Sequence, residues 1–595
     1  MIITASERSW HITPVNNDDY RAIRSAIGSA KIHAVGDNFF MQVSQSIHNL
    51  RRLRRFFPSA ELSTDGQTQL IVQALEAEYE KWRDENLEGM AARAGANYIP
   101  AGYEWKREPF KHQLRMINFL HAMHGRCGLF GDPGVGKTYA VIVWIDQCLQ
   151  AGTLKPGEII IFTKPSIIDS GWLDDIKQFT HLRPFALNDV DGDNAKELLA
   201  ARKAALKSGE YDVFIVGYEM ARNAERLPGK GTATKRRPLA GVLTRHGFKC
   251  VVLDESTEAK RRTSHTFQVC RDVTRSASRG RVVATGTPAP NGPEDLWAQM
   301  YIVDRGLSLE TTLTDFRGLY YDTVPLKGIV DNKGNQILKF VPRKGALDEI
   351  HKRIAPRVIR IKAEECLDLP PTMPDSLRIV TMGREQRRVY DDMKEHLLAE
   401  FDGHVTSARQ QVVQLMKLRE ITGGFVIPDA GDKGKAISGP NPKLLELDDL
   451  LAEITTNNKA VVWGQYRWEF ETFLDRYKRY KPGALYGGTP RGKVGDIVRD
   501  FQTRPDCRVL FCHPQSAGWG LTLTEANYCI FYSLSYDGEE HYQARKRIQR
   551  IGQSKTMFYY YILAAKSIDR VIYSALKEKK NVEDLLIDGP RSLLS

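Results

Sequence analysis

The stretch CGLFGDPGVGKTYAVIVWI, residues 127–145, restricts this chain more than any other feature. Gly131, Gly136, Lys137 and Thr138 form the pattern G-x4-G-K-T between an apolar strand-like run and an apolar helical one. A loop of this kind turns from strand into helix, so backbone N–H groups and the helix N-terminus surround an anion. Lys137 is placed to reach the β- and γ-phosphates of a nucleotide, and the Thr138 hydroxyl to ligate Mg2+. A second glycine-lysine stretch, Pro228-Gly229-Lys230-Gly231, lacks the first glycine and the hydroxyl residue and reads as a plain loop.

From about 104 to 305 the runs GLFG, EIIIFTK, DVFIVGY, CVVLDES and RVVATGT alternate with helical stretches. Short β-rich runs separated by helices predict a parallel sheet covered on both faces. The alternation resumes from 443 with KAVVWGQY, ALYGG, RVLFCHP, YCIFYSL and FYYYILA. The fold class is therefore α/β, with two such domains in tandem, 101–305 and 441–595. Between them, 306–440 reads as a helical insert and linker ending in the Gly/Pro/Lys-rich VIPDAGDKGKAISGPNPK. Residues 1–100 read as a small α+β accessory domain, in which IHAVGDNFFMQV suggests a hairpin about a Gly-Asp turn. Its cluster Arg51, Arg52, Arg54, Arg55, Phe56, Phe57 fits nucleic-acid contact and a buried amphipathic helix equally well.

At 595 residues, 42% hydrophobic and 27% charged, the chain has the composition of a globular protein with several domains. A net charge of +12 favours a polyanionic partner. No run of eighteen apolar residues occurs, and MIITASERSW lacks the pattern of a secretory signal, so a cytoplasmic location without membrane contact is expected. Eight scattered cysteines without a C-x-x-C pair are expected to be reduced thiols, not zinc ligands.

Two further stretches carry chemistry. CVVLDES places Asp254 and Glu255 after an apolar run, where Asp254 would hold Mg2+ and Glu255 would orient or deprotonate a water. The cationic QARKRIQRIGQSK, read as a helix, puts Gln543, Arg547 and Arg550 on one face. That face is either a solvated basic surface or a pair of arginines aimed at phosphate held elsewhere.

Taken together, these motifs resemble those of superfamily II helicase-like ATPases of the Swi/Snf type, in family order from about 105 to 580. FKHQLRMINFL resembles the adenine-reading segment, with Gln113 at its glutamine. FTKPSIIDSGWLDDIKQF resembles motif Ia, ATGTPAPNGPEDLW the TGTP segment, SAGWGLTLTEAN motif V, and QARKRIQRIGQ motif VI. The resemblance implies two RecA-like lobes with ATP and Mg2+ as cofactors. It implies a nucleotide cradle of Gln113, Asp132, Gly134, Val135, Gly136, Lys137 and Thr138, joined by Gly520 and Gln543. It also implies that Arg547 and Arg550 are arginine fingers. Three positions depart from the family pattern: Thr257 where a histidine is usual, Lys546 where an acid is usual, and Trp519 in place of a motif V glycine.

The same resemblance implies a motor on double-stranded DNA. Thr163, Lys164, Gly286, Thr287, Gln465, Gly488, Thr489 and Trp519 are its candidate contacts. The compact chain is similar to phage and bacterial members and to annealing and fork-remodelling relatives. It is therefore expected to be a monomeric translocase remodelling branched or replicating DNA in a bacterial or phage-infected cell, associated with the nucleoid. A motor that displaces a DNA-bound protein such as RNA polymerase, through a partner in replication or transcription, and a non-hydrolysing clamp are the alternatives.

Overall fold

The computed structural model describes the chain except residues 25–26, 36–37, 224, 227–234, 237, 291, 331–335, 367–368, 404–407, 429–433, 518–520 and 579–595. The Gly36-Asp37 turn, the Pro228–Gly231 decoy, Asn291 of the TGTP segment, part of the 306–440 linker, Trp519 and Gly520 therefore lie outside the described residues. Two compact units form, essentially 1–361 and 362–595.

The first unit is built on a seven-stranded parallel sheet. Its order is Val358–Ile361, Gly128–Gly131, Gly280–Thr285, Cys250–Asp254, Ile159–Thr163, Val213–Gly217, Pro184–Ala186. The central strands Ile159–Thr163, Val213–Gly217 and Cys250–Asp254 are buried at every position, which is why each reads as an unbroken apolar run. The second unit has a six-stranded parallel sheet, ordered Ser376–Val380, Phe558–Ala564, Ala526–Phe531, Lys459–Trp463, Val509–Cys512, Gly483–Leu485. Seven of the eight cysteines are buried and none is paired. Among the described residues no helix is long and apolar enough to cross a membrane.

The segment 306–440 is divided between the two units. Its strand Val358–Ile361 closes the edge of the first sheet, and Ser376–Val380 forms an edge of the second. Residues 1–100 belong to the first unit. They form a five-stranded sheet in which Lys31–Val35 and Asn38–Ser44 pair as an antiparallel hairpin, followed by the helices Ile47–Phe56 and Gly66–Arg93.

Buried carboxylates fasten this N-terminal module. Asp315 accepts from Ser29 N–H at 2.8 Å, Ser44 Oγ at 2.7 Å and Asn49 Nδ2 at 3.2 Å. Glu310 accepts two bonds from Arg52, at 2.8 and 2.7 Å, and one from Arg353 at 3.2 Å. Burial would raise the Glu310 pKa, but the Arg52 hydrogen bonds and the charges of His48, Arg52 and Arg353 outweigh burial and lower it. Its stabilising effect is thus complete above the ordinary value of 4.5 and is lost as pH falls through the lower folded value. Arg54 pairs with Glu76, and Arg51 lies 3.7 Å from the Tyr79 ring, while Leu50 and Leu53 are in the core. Arg51, Arg52 and Arg54 thus make intramolecular contacts. Glu310→Ala strands two guanidiniums and should destabilise the first unit by about 3–5 kcal/mol, read by chemical denaturation at neutral pH.

Candidate active site

Strand Gly128–Gly131 leads into the loop, and helix Lys137–Gln150 leaves it. Gly134 and Gly136 have φ of +88° and +82°, a region open to glycine, which turns the backbone around the loop. A Cβ on Gly136 would lie 2.1 Å from Gln113 Nε2, so the close approach also requires glycine. Gln113 is held in that pose from its other end. Its Oε1 accepts from Phe110 N–H at 3.1 Å and from Arg107 Nη2 at 3.0 Å. The Arg107 guanidinium in turn lies 3.9 Å from the Tyr139 ring and 4.9 Å from Phe179. Lys137 is buried and donates to the carbonyls of Gly131 at 2.7 Å and Asp132 at 3.3 Å. The Asp132 N–H donates to Ile361 at 2.9 Å, fixing the strand end, and Val135 is fully buried. Thr138 is half-buried.

Asp254 and Glu255 stand two strands away at the end of Cys250–Asp254. Asp254 Oδ2 accepts from Thr163 Oγ1 at 2.9 Å, and Oδ1 from the Glu255 N–H at 3.0 Å. The buried Tyr218 hydroxyl donates to the Asp254 carbonyl at 2.8 Å; burial pushes the phenol's pKa well up, keeping it a donor. Glu255 adopts φ +47°, ψ +53°, a left-handed conformation that costs a non-glycine residue about 1–2 kcal/mol. Strain of this kind is retained where the direction of a side chain matters.

The TGTP segment reaches the acidic turn by two routes, one at Glu255 and one at Ser256. Thr285 Oγ1 donates to Glu255 Oε2 at 3.3 Å. Ser256 Oγ donates to Gln299 Oε1 at 2.7 Å, and Gln299 Nε2 donates to the Pro288 carbonyl at 2.6 Å. Ser256 and Gln299 are both fully buried. The acidic turn is therefore joined to TGTP although Thr257 replaces the usual histidine.

The candidate DNA contacts fare unequally. Thr163 is fully buried with its hydroxyl on Asp254, so the structure corrects its reading as a surface contact: it positions the acid. Lys164 pairs with Glu258 at 3.0 Å. Gly286 and Thr287 are half-buried, and Thr287 Oγ1 is a buried atom without a hydrogen-bond partner among the described residues. In the second unit Gly488 is exposed, while Thr489 uses its hydroxyl to close a turn onto Ala484 at 3.0 Å. Gln465 Nε2 is buried and unpartnered among the described residues.

Motif VI differs from the expected single helix. Helix Gly538–Arg545 ends before Arg547, and turns follow. Arg547 is buried, donating to the Leu521 carbonyl at 3.1 Å and to Gln543 Oε1 at 2.8 Å. Through these bonds it braces motif VI against motif V. Arg550 is half-buried and donates to Thr522 at 3.2 Å. Gln543 Nε2 is a buried donor without an acceptor among the described residues.

A positive-φ glycine loop, a lysine at the head of a long helix and a paired acid are the donor set that a Mg2+-nucleotide needs, so the residues fit that ligand. With two parallel-sheet lobes and this loop, the class is a helicase-like ATPase. The profile of the SNF2-related domain matches residues 112–423, more than half the chain, and that of the helicase conserved C-terminal domain matches 442–552. The chain belongs to the SNF2-related family, and it has the family's two RecA-like lobes.

Among its relatives, protein p41 of Acyrthosiphon pisum secondary endosymbiont phage 1 is 24% identical over 498 residues, covering 81% of this chain and 98% of that protein. DNA annealing helicase and endonuclease ZRANB3 of Bos taurus is 22% identical, over 84% of this chain and 42% of its own length. ATP-dependent DNA helicase DDM1 of Arabidopsis thaliana is 22% identical, over 80% and 61%. The chain thus spans less than two thirds of these two cellular relatives. A solved Sulfolobus solfataricus SWI2/SNF2 ATPase core in complex with dsDNA is 20% identical, with a TM-score of 0.37, over 82% of this chain and 95% of that one.

Proposed function

We propose that this SNF2-family ATPase translocates on double-stranded DNA and remodels branched or replicating DNA, by fork regression, branch migration or strand annealing. The observation that carries the reading is the alignment with an annealing helicase over 84% of this chain. A net charge of +12 supports a polyanionic track. Lys137 would hold the β- and γ-phosphates, with Thr138 and Asp254 holding the metal. Mg2+, when bound, offsets charge on the phosphate oxygens. Glu255, aimed by its left-handed backbone and by Thr285, would take the proton of the attacking water. Arg550 would supply positive charge to the transferring phosphoryl group. Lys164, Gly286, Thr287, Gln465 and Gly488 would contact the DNA backbone, giving binding that weakens with salt and ignores sequence.

The test is steady-state ATP hydrolysis at fixed salt with no DNA, single strands, linear duplex and a four-way junction. Junction stimulation at least several-fold above linear duplex is expected. Equal stimulation by any duplex would sink the branched-DNA assignment and leave a translocase directed by a protein partner. No stimulation by DNA would overturn the DNA motor itself.

A further inference from the structure

We propose that the first unit reads the base of a bound purine nucleotide through its N7 alone and ignores the substituent at position 6, because Arg107 occupies the acceptor of Gln113. The inference rests on the reading of residues 131–138 as a nucleotide loop. Arg107 would act on the base only through Gln113, so it is a positioning residue.

Gln113 is buried, and its amide is packed on the loop: a Cβ on Gly136 would meet Nε2 at 2.1 Å. Gly136 is the N-cap of helix Lys137–Gln150, whose first N–H groups form an anion site. An amide touching that glycine lies within one nucleoside's length of loop-bound phosphates. Phe110, at the head of helix Lys111–Ala122, adds an exposed aromatic ring on the same turn.

An amide oxygen has two acceptor sites, and Gln113 Oε1 uses both. One takes the Phe110 N–H at 3.1 Å, the other Arg107 Nη2 at 3.0 Å. A backbone N–H and a guanidinium can only donate, so the amide cannot be turned over to exchange its oxygen and nitrogen. Nε2 therefore faces the loop, where it makes no hydrogen bond among the described residues. Arg107 is itself held among rings, 3.9 Å from the centre of Tyr139, 4.9 Å from Phe179 and 5.3 Å from Phe110. The Tyr139 hydroxyl also donates to the Arg107 carbonyl, which ties the arginine's backbone to the loop helix.

Adenine offers an acceptor at N7 and a donor in its 6-amino group, whereas guanine and hypoxanthine offer the same N7 beside a carbonyl. The open Nε2–H of Gln113 matches N7 in all three. Its Oε1 has no site left for the amino group, so adenine gains nothing over the other two. The chain thereby separates recognition of a purine from recognition of adenine.

The experiment is equilibrium calorimetry of ADP, IDP, GDP and 7-deaza-ADP with the full chain and Mg2+, where no turnover intervenes. IDP and GDP should bind within about threefold of ADP, and 7-deaza-ADP, which lacks the acceptor, about 3–10-fold more weakly. Arg107→Met frees one acceptor site, so a preference for ADP over IDP of about fivefold or more should emerge. An arginine with only a structural role would weaken all four alike. Thermal unfolding checks that the variant is folded, and the parent's own ratios stand without it. A clear parental preference for ADP over IDP overturns the inference. So does 7-deaza-ADP binding as tightly as ADP, or a folded Arg107→Met protein with the parental ratios. Lys137→Ala should weaken all four ligands. If it does not, or if the parent binds no ADP, the nucleotide-loop reading itself falls and takes the inference with it.

Discussion

Arg550→Ala should lower ATP turnover by roughly 10³–10⁵-fold, the range that arginine fingers supply in related NTPases. Nucleotide affinity and folding stability should stay near those of the parent, since Arg550 is half-buried and its bond to Thr522 is made at the surface. Equilibrium nucleotide binding measured beside single-turnover hydrolysis separates the two effects. Arg547→Ala should behave differently. Its guanidinium is buried against Gln543 and Leu521, so truncation removes the bonds it donates to both and leaves a cavity behind. A loss of about 2–4 kcal/mol in the second unit is expected, with reduced turnover as a consequence of misfolding. Normal turnover in Arg550→Ala would remove the finger assignment, whatever Arg547→Ala did.

Glu255→Gln should reduce turnover by about 10²–10⁴-fold with ATP binding retained. The amide oxygen can still accept from Thr285, so the change removes a base without dismantling the turn. Glu255→Gly makes the complementary point. It should be equally inactive yet more stable by about 1 kcal/mol, because glycine relieves the left-handed backbone at φ +47°. Pre-steady-state hydrolysis and denaturant unfolding would show activity and stability moving in opposite directions. A Glu255→Gln protein with parental turnover would mean that another group handles the water.

Sequence reading succeeded where the local backbone decides the outcome. Gly134 and Gly136 are needed for their own dihedrals, and Gly136 also for Gln113's approach, so spacing exposes the loop. The central strands declare themselves because both their faces are buried. Pro184–Ala186, Val358–Ile361 and Ser376–Val380 escaped notice because they are short edge strands, the last with Leu377 and Ile379 exposed. Thr163 escaped for another reason: its partner Asp254 lies 91 residues away, and only the pairing of adjacent strands brings them together. Gln299 joins Ser256 across 43 residues in the same way. Arg547 looked helical from its spacing, but its bonds to Gln543 and Leu521 pull it inward after the helix has ended.

The anchoring of the first hundred residues has a consequence for how such a chain can be cut or recombined. A truncation at residue 100 would not release a passenger domain. It would uncover Leu307, which packs against the N-terminal core, and remove the donors that Ser29, Ser44 and Asn49 give to Asp315. It would also delete Glu85, the shared counterion of Arg126 and Arg357, from the underside of the ATP-binding sheet. The seam between module and motor is thus part of the motor's own interior. A graft of another N-terminal module would have to carry equivalents of Arg52 and Glu85 before the recipient lobe could fold.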